Sequence, residues 1–182
     1  MKRIHLICTI IVAACLFQSC EKDDPKPVNE EELITTLTLV LETGHPADRV
    51  TLRFFDEDGE HGSTPPEISV EGALKAGKEY RALMELLNET ATPVEDITEE
   101  IAAEADDHLF CFSVNGDITI RYEDEDSNGL PIGLVTTWVP GSAGSASVTI
   151  LLRHQHDTKT GTCPGGGETD VEVTFELVIE EQ

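Results

Sequence analysis

Apolar and polar residues alternate with a period of two along most of the chain after residue 32. Such alternation is typical of strands with one buried face and one face in solvent. In the last run, Val171, Val173 and Phe175 would point one way while Glu172 and Thr174 point the other. The pattern predicts about nine strands, within residues 33–41, 50–54, 67–71, 79–88, 108–114, 117–123, 133–139, 147–154 and 170–180.

Turn-forming segments separate these runs, including Asn115-Gly116 and Asn128-Gly129. Strands at this spacing predict an all-β fold, either an antiparallel β-sandwich or a small barrel. Residues 96–107 depart from the pattern, since they are rich in Glu and Ala and begin with a capping box, Asp96 followed by Glu99. We therefore expect one short helix crossing between strands, within a single β domain that covers residues 33–182.

Residues 1–19 match a lipoprotein signal peptide. Lys2 and Arg3 precede an apolar run over residues 4–17, which is too short to span a bilayer comfortably. The run ends at Ser19-Cys20, and a small residue directly before a Cys resembles a bacterial lipobox. By that resemblance Cys20 is acylated, and several acyl chains on one residue give a stable anchor. The alternative is an ordinary cleaved signal peptide with a coincidental Cys.

Residues 20–32 are predicted to be the lipidated Cys followed by an acidic tether. The segment is charged, has two prolines and should be extended in solvent. Lys22-Asp23-Asp24 resembles the surface-export signal of Bacteroidota lipoproteins, and a generic acidic linker is the alternative. The predicted location is the outer membrane, lipid-anchored and on the cell surface, with the choice of leaflet left open.

The net charge and the absence of catalytic motifs argue against two classes of function, nucleic-acid binding and catalysis. The 182-residue chain has 36 Asp and Glu against 12 Lys and Arg, for a net charge of −24. Nucleic-acid binding needs clustered basic residues to contact phosphates, so we expect no nucleic-acid partner. The sequence has no G-x-S-x-G elbow, P-loop or H-E-x-x-H motif, and the order of its Ser, His and Asp residues singles out no triad. We therefore expect a protein that is not an enzyme.

Histidines supply the first candidate metal site. His154 and His156 lie two apart at the end of a predicted strand, so their side chains share a face. Glu104 and His108 lie four apart at the end of the predicted helix. If these two ends meet, they supply nitrogen and oxygen ligands that zinc or copper accepts. The alternative is a core-edge His154 bonded to a backbone carbonyl and a His156 exposed in a loop.

An acidic turn supplies the second candidate metal site. Asp124, Asp126 and Asn128, followed by Gly129, match the first half of a calcium-binding loop. Position twelve of an EF-hand would be Val135, where a Glu is required, so the segment is not an EF-hand. The alternative is a solvated hairpin whose residues serve turn geometry.

Two cysteines of the predicted domain, Cys111 and Cys163, can pair in a disulfide, because an exported protein meets oxidising conditions. A buried free thiol at Cys111 and an exposed one at Cys163 are the alternative.

A resemblance to a known family is carried by five segments that together extend over nearly all of the predicted mature chain: residues 31–39, 85–90, 93–100, 152–154 and 166–173. They resemble small acidic Bacteroidota surface lipoproteins, whose members often carry the label "type 1 periplasmic binding fold superfamily protein". That fold is a two-lobed α/β structure, whereas the alternation here predicts an all-β one. The resemblance implies no activity and no site residue.

These observations predict a non-catalytic outer-membrane lipoprotein with a binding or accessory role. Metal capture near an outer-membrane uptake receptor is the leading hypothesis, and the receptor is inferred only from how such lipoproteins usually work. An envelope module that is stabilised by calcium, or that binds nothing, is the structural alternative. A surface hydrolase with a site built from scattered carboxylates is the third.

Overall fold

The described part of the chain folds into two β-sheets. The structure is a computed structural model that describes residues 32–59, 62–156 and 158–182. Within these residues there are eleven strands: β1 (Thr36–Glu42), β2 (Val50–Phe55), β3 (Glu67–Glu71), β4 (Leu74–Lys75), β5 (Tyr80–Asn88), β6 (Glu95–Asp96), β7 (His108–Asn115), β8 (Ile118–Tyr122), β9 (Val135–Pro140), β10 (Gly144–His154) and β11 (Glu168–Glu180). The all-β prediction is confirmed, and the two strands beyond the predicted nine, β4 and β6, are each only two residues long.

The larger sheet has the strand order β3-β2-β1-β5-β9-β8, with β6 added beside β5. The smaller sheet has the order β4-β11-β10-β7. All neighbours are antiparallel except β4 and β11, which are parallel. The arrangement is a β-sandwich.

The core consists of the apolar faces that the alternation predicted. On β11, Val171, Val173, Phe175, Leu177 and Ile179 are all buried, while the residues between them are exposed. On β1, Leu37, Leu39 and Leu41 are completely buried. The first predicted strand began at residue 33, but β1 begins at Thr36, and Leu33 is 43% exposed.

Among the described residues there is one α-helix, α1 (Ile97–Ala103), which packs against β5. Its N-cap is Asp96, whose carboxylate accepts hydrogen bonds from the backbone N–H groups of Thr98 and Glu99. The helix ends at Ala103, four residues before the predicted end, and the chain then turns into β7. Ile97 and Ile101 are buried on its inner face.

A disulfide joins Cys111 on β7 to Cys163 in the loop between β10 and β11. The bond spans 52 residues of sequence, and closing a loop of that length stabilises a fold by about 4 kcal/mol on the chain-entropy account. The same loop is held by Lys159, whose ammonium donates a hydrogen bond to the carbonyl of Ala105. The loop beyond His154 is therefore fixed against β7 and the end of α1.

The predicted signal peptide, Cys20 and the tether up to residue 31 lie outside the described residues. In the part of the chain that the structure describes, no helix has the length and hydropathy needed to cross a bilayer.

Candidate metal centre

A cross-strand pair of histidines forms the centre of the site. β7 and β10 are antiparallel, and their register places His108 directly opposite His154. The two rings lie with their centroids 4.5 Å apart. Both follow the inward alternation of their strands, so His108 is completely buried and His154 is only 6% exposed. The two strand ends that carry the candidate histidines therefore meet.

Glu32 joins the two histidines from a distant part of the sequence. One of its carboxylate oxygens lies 2.9 Å from His108 Nε2, and the other lies 3.4 Å from His154 Nδ1. The Glu32 side chain is only 4% exposed. Glu32 is the last residue of the predicted acidic tether, and its side chain is held against the two histidines. The carboxylate packs onto the fold because two imidazoles are positioned to receive it.

Asp170 completes the cluster through a β-bulge. The register between β10 and β11 shifts after Leu152, so that Leu152 pairs with Val171 and Arg153 pairs with Thr169. Asp170 is the extra residue, and a bulge re-aims a side chain that regular alternation would point elsewhere. Ligand atoms of Glu32, His108, His154 and Asp170 all lie within 4.8 Å of one another.

A backbone carbonyl fixes the protonation of His108. Its Nδ1 lies 3.0 Å from the carbonyl oxygen of Glu104, which can only accept, so Nδ1–H is the donor. This bond leaves Nε2 as the nitrogen that faces Glu32. Glu104 was predicted to contribute its carboxylate, but the contact that the structure gives it with His108 is through its main chain.

The ion pair between Glu32 and His108 shifts both groups towards their charged forms. Burial by itself would lower the pKa of His108, but the hydrogen bond and the charge of Glu32 outweigh burial and raise it. Burial would likewise raise the pKa of Glu32, but His108 and, to a smaller extent, His154 hold that pKa below its usual value.

Further carboxylates give the rim of the site a negative field. Burial, followed by the charges of Glu32 and Glu104, raises the pKa of Glu100. These three acids belong to the segment that leads into the site and to α1 with its C-cap. A cation placed near them would be stabilised.

His156 belongs to a second, outer group. Ligand atoms of Asp107, His154 and His156 lie within 4.8 Å of one another. His156 Nδ1 lies 3.5 Å from an Asp107 carboxylate oxygen, and the His156 side chain is 57% exposed. His154 is thus shared between a buried group of four residues and a more exposed group of three.

The predicted calcium loop has its carboxylates engaged by other donors. The two oxygens of Asp124 accept hydrogen bonds from the backbone N–H groups of Gly133 and Val135. One oxygen of Asp126 accepts from the N–H groups of Asn128 and Leu130.

The other Asp126 oxygen lies 2.8 Å from the ammonium of Lys159, and both side chains are almost fully buried. The Lys159 charge therefore already lies beside Asp126, and a calcium ion there would have to displace it. These contacts explain the acidic pattern as turn chemistry, and calcium binding by Asp124, Asp126 and Asn128 stays a prediction.

The chain matches no protein-family model, and no curated protein or solved structure shows significant similarity to it.

Sequence reasoning missed three members of the two groups, Glu32, Asp107 and Asp170. In the sequence, Glu32 is one of many acids in a polar segment, and Asp170 is an ordinary residue of an alternating strand. Its bulge depends on strand pairing, which one sequence does not reveal. For Asp107, its position next to His108 in the sequence was the one feature that could have indicated a place in the site.

Proposed function

We propose that this chain is a non-catalytic metal-capturing protein that binds one zinc or copper ion between Glu32, His108, His154 and Asp170. The observation that carries the proposal is the convergence of four ligand-type side chains, from three distant parts of the sequence, within 4.8 Å. Two imidazole nitrogens and two carboxylate oxygens are a donor set that both metals accept.

The spacing of the donors supports this ligand set. Ligands about 2.0–2.1 Å from a tetrahedral zinc ion lie about 3.3 Å from one another. The carboxylate of Glu32 is 2.9 Å from His108 and 3.4 Å from His154. A small movement of side chains would open room for the ion.

The contact of His108 with Glu104 also matches a metal ligand. Metal-binding histidines commonly donate their second ring N–H to a carbonyl or carboxylate, which orients the ring and fixes its tautomer. The Glu104 carbonyl does this at His108 Nδ1. The metal would replace the proton on Nε2, so binding would release a proton and weaken as pH falls.

The location of the protein is a further part of the proposal. The lipobox-like Ser19-Cys20 and the Lys22-Asp23-Asp24 segment support a lipid-anchored protein on the surface of the outer membrane. The resemblance to Bacteroidota lipoproteins supports the same location. An outer-membrane uptake receptor is the partner that such a metal-capturing protein would serve.

A structural role is the second candidate. The 2.9 Å ion pair between Glu32 and His108 already holds the start of the domain against β7 without any metal. On this account the cluster fixes residue 32 to the sandwich, and zinc and copper do not bind.

Calorimetric titration with zinc and with copper separates the two candidates. The metal-capture proposal expects one ion per chain for the wild type. His108→Ala and His154→Ala should each weaken binding by about a hundredfold or more, since even residues that only orient a ligand typically contribute ten- to a hundredfold. Glu104→Ala should weaken binding far less than these two, because it keeps the main-chain contact with His108 and removes only one charge at the rim of the site.

His45→Ala is the matched control, since His45 is exposed in the turn after β1 and belongs to neither ligand group. Its affinity should equal that of the wild type. Circular dichroism of each variant would verify that the β fold is kept. The absence of saturable binding in the wild type, or equal affinities for His45→Ala and His108→Ala, would contradict the proposal.

A further inference from the structure

A cavity of about 250 Å³ lies where the first two strands approach the start of β11. Its walls combine apolar side chains with carboxylates. The apolar residues are Ile34, Phe54 and Val171, and the acids are Asp56, Asp170 and Glu172. No Lys or Arg lies among the described residues that form its walls. The volume equals the space of about eight water molecules at about 30 Å³ each.

Asp56 is the feature that points to a ligand. Its side chain follows the end of β2 and is only 7% exposed. The backbone N–H of Asp56 donates to the carbonyl of Thr35, but its buried Oδ1 has no hydrogen-bond partner among the described residues. A buried polar atom without a partner is costly, and most such atoms in proteins are satisfied. Asp56 also lines the cavity, so a rotation of its side chain would bring this oxygen to a donor that enters there.

We propose that this cavity binds a small organic cation, an ammonium or guanidinium group carried on a short apolar chain. The cationic head would donate hydrogen bonds to the Asp56 carboxylate and lie in the field of Asp170 and Glu172. The apolar chain would pack against Ile34, Phe54 and Val171, where it loses contact with water. Such charge-assisted bonds are about twice as strong as neutral ones.

The site adjoins the proposed metal centre, and Asp170 belongs to both. The ligand is different, and binding does not require any metal ion. The inference therefore stands or falls independently of metal capture.

The test is a titration of the full chain, in the presence of a chelator, with n-butylammonium and with n-butanol. The two probes have nearly the same shape and differ in charge. We expect saturable binding of n-butylammonium, at least tenfold tighter than that of n-butanol. This comparison uses the wild type alone, so it does not depend on the folding of any variant.

Variants then locate the binding site. Asp56→Asn keeps the side-chain shape and removes the charge, and it should weaken n-butylammonium binding at least tenfold. Glu176→Gln, an exposed position further along β11, is the matched control and should bind like the wild type.

Three results would overturn the proposal. The first is equal affinity for the charged and neutral probes, and the second is equal affinity of Asp56→Asn and the wild type for n-butylammonium. The third is selective binding of Mg²⁺ or Ca²⁺ at Asp56, tested without chelator, together with no binding of n-butylammonium. Because metal capture is tested with His108→Ala, failure of one proposal leaves the other unaffected.

Discussion

Glu32 shows how one side chain can determine what a site does. Its carboxylate lies between two buried imidazoles and contacts both. Without metal, Glu32 and His108 form an ion pair that stabilises the fold. With metal, the same atoms would become ligands, and the proton on His108 would leave. The balance between the two states therefore depends on pH.

The ion pair between Glu32 and His108 stabilises the fold over a limited range of pH. Glu32 has a folded-state pKa below its usual value of 4.5. Its contribution to the free energy of unfolding is therefore complete above pH 4.5 and is lost as pH falls through the folded pKa. His108 has a folded-state pKa above 6.5. Its contribution to the free energy of unfolding is therefore complete below pH 6.5 and is lost as pH rises through the folded pKa.

Glu32→Gln should therefore be most destabilising between about pH 4.5 and 6.5 when a chelator is present. The difference in the free energy of unfolding between this variant and the wild type should become smaller both below and above that pH range. Urea unfolding at a series of pH values measures this difference, with Glu176→Gln as a control at an exposed site. A Glu32→Gln difference that does not change with pH would contradict the assignment of the ion pair.

The sequence identified some of the residues of the candidate metal site, but it did not show which residues contact one another. Alternation placed His154 on the same face as the apolar residues of its strand, whereas the sequence left open whether His108 and His154 meet. Glu32 was not predictable, because it is one of 36 acids and its partner lies 76 residues away. Asp170 was hidden by a bulge that only the pairing of β10 with β11 creates.

Elements were the most predictable level of the fold. Nine strands followed from alternation, since a half-buried strand must alternate to bury one face. β4 and β6 were missed because two residues carry no periodicity. The start of α1 was predictable from its cap, whereas its end was not, since the Glu- and Ala-rich composition continues past Ala103.

The cap gives a prediction at this scale. Asp96→Ala removes the acceptor for two N–H groups and should lower the free energy of unfolding by about 1 kcal/mol. Asp96→Asn should lower it much less, because Asn is an equally good N-cap. Urea denaturation of both variants makes the comparison. Equal losses for Asn and Ala would show that the carboxylate acts through its charge and not through capping.

At the scale of the whole molecule, the acidic surface and the proposed anchor are consistent with a cation-binding protein held at a membrane. A net charge of −24 raises the local concentration of cations and speeds their arrival at a buried site. The disulfide and Lys159 fix the loop that carries His156 against the rest of the domain.

The anchor is testable by one substitution. Cys20→Ser should move the protein from the membrane fraction of a Gram-negative host to the soluble periplasmic fraction, because the acylated sulfur is lost. Cys15→Ser, inside the predicted signal peptide, is the matched control and should leave the protein in the membrane. Equal membrane association of both variants would contradict the lipoprotein assignment.

The measurement that tests the central claim most directly is anomalous diffraction at the zinc edge from crystals grown with zinc. The account predicts a peak between Glu32, His108, His154 and Asp170, about 2.0–2.2 Å from imidazole nitrogens and carboxylate oxygens. Glu32 would then contact the ion in place of His108 Nε2–H. The absence of a peak there, with the Glu32 and His108 ion pair intact, would contradict metal capture and favour the structural role.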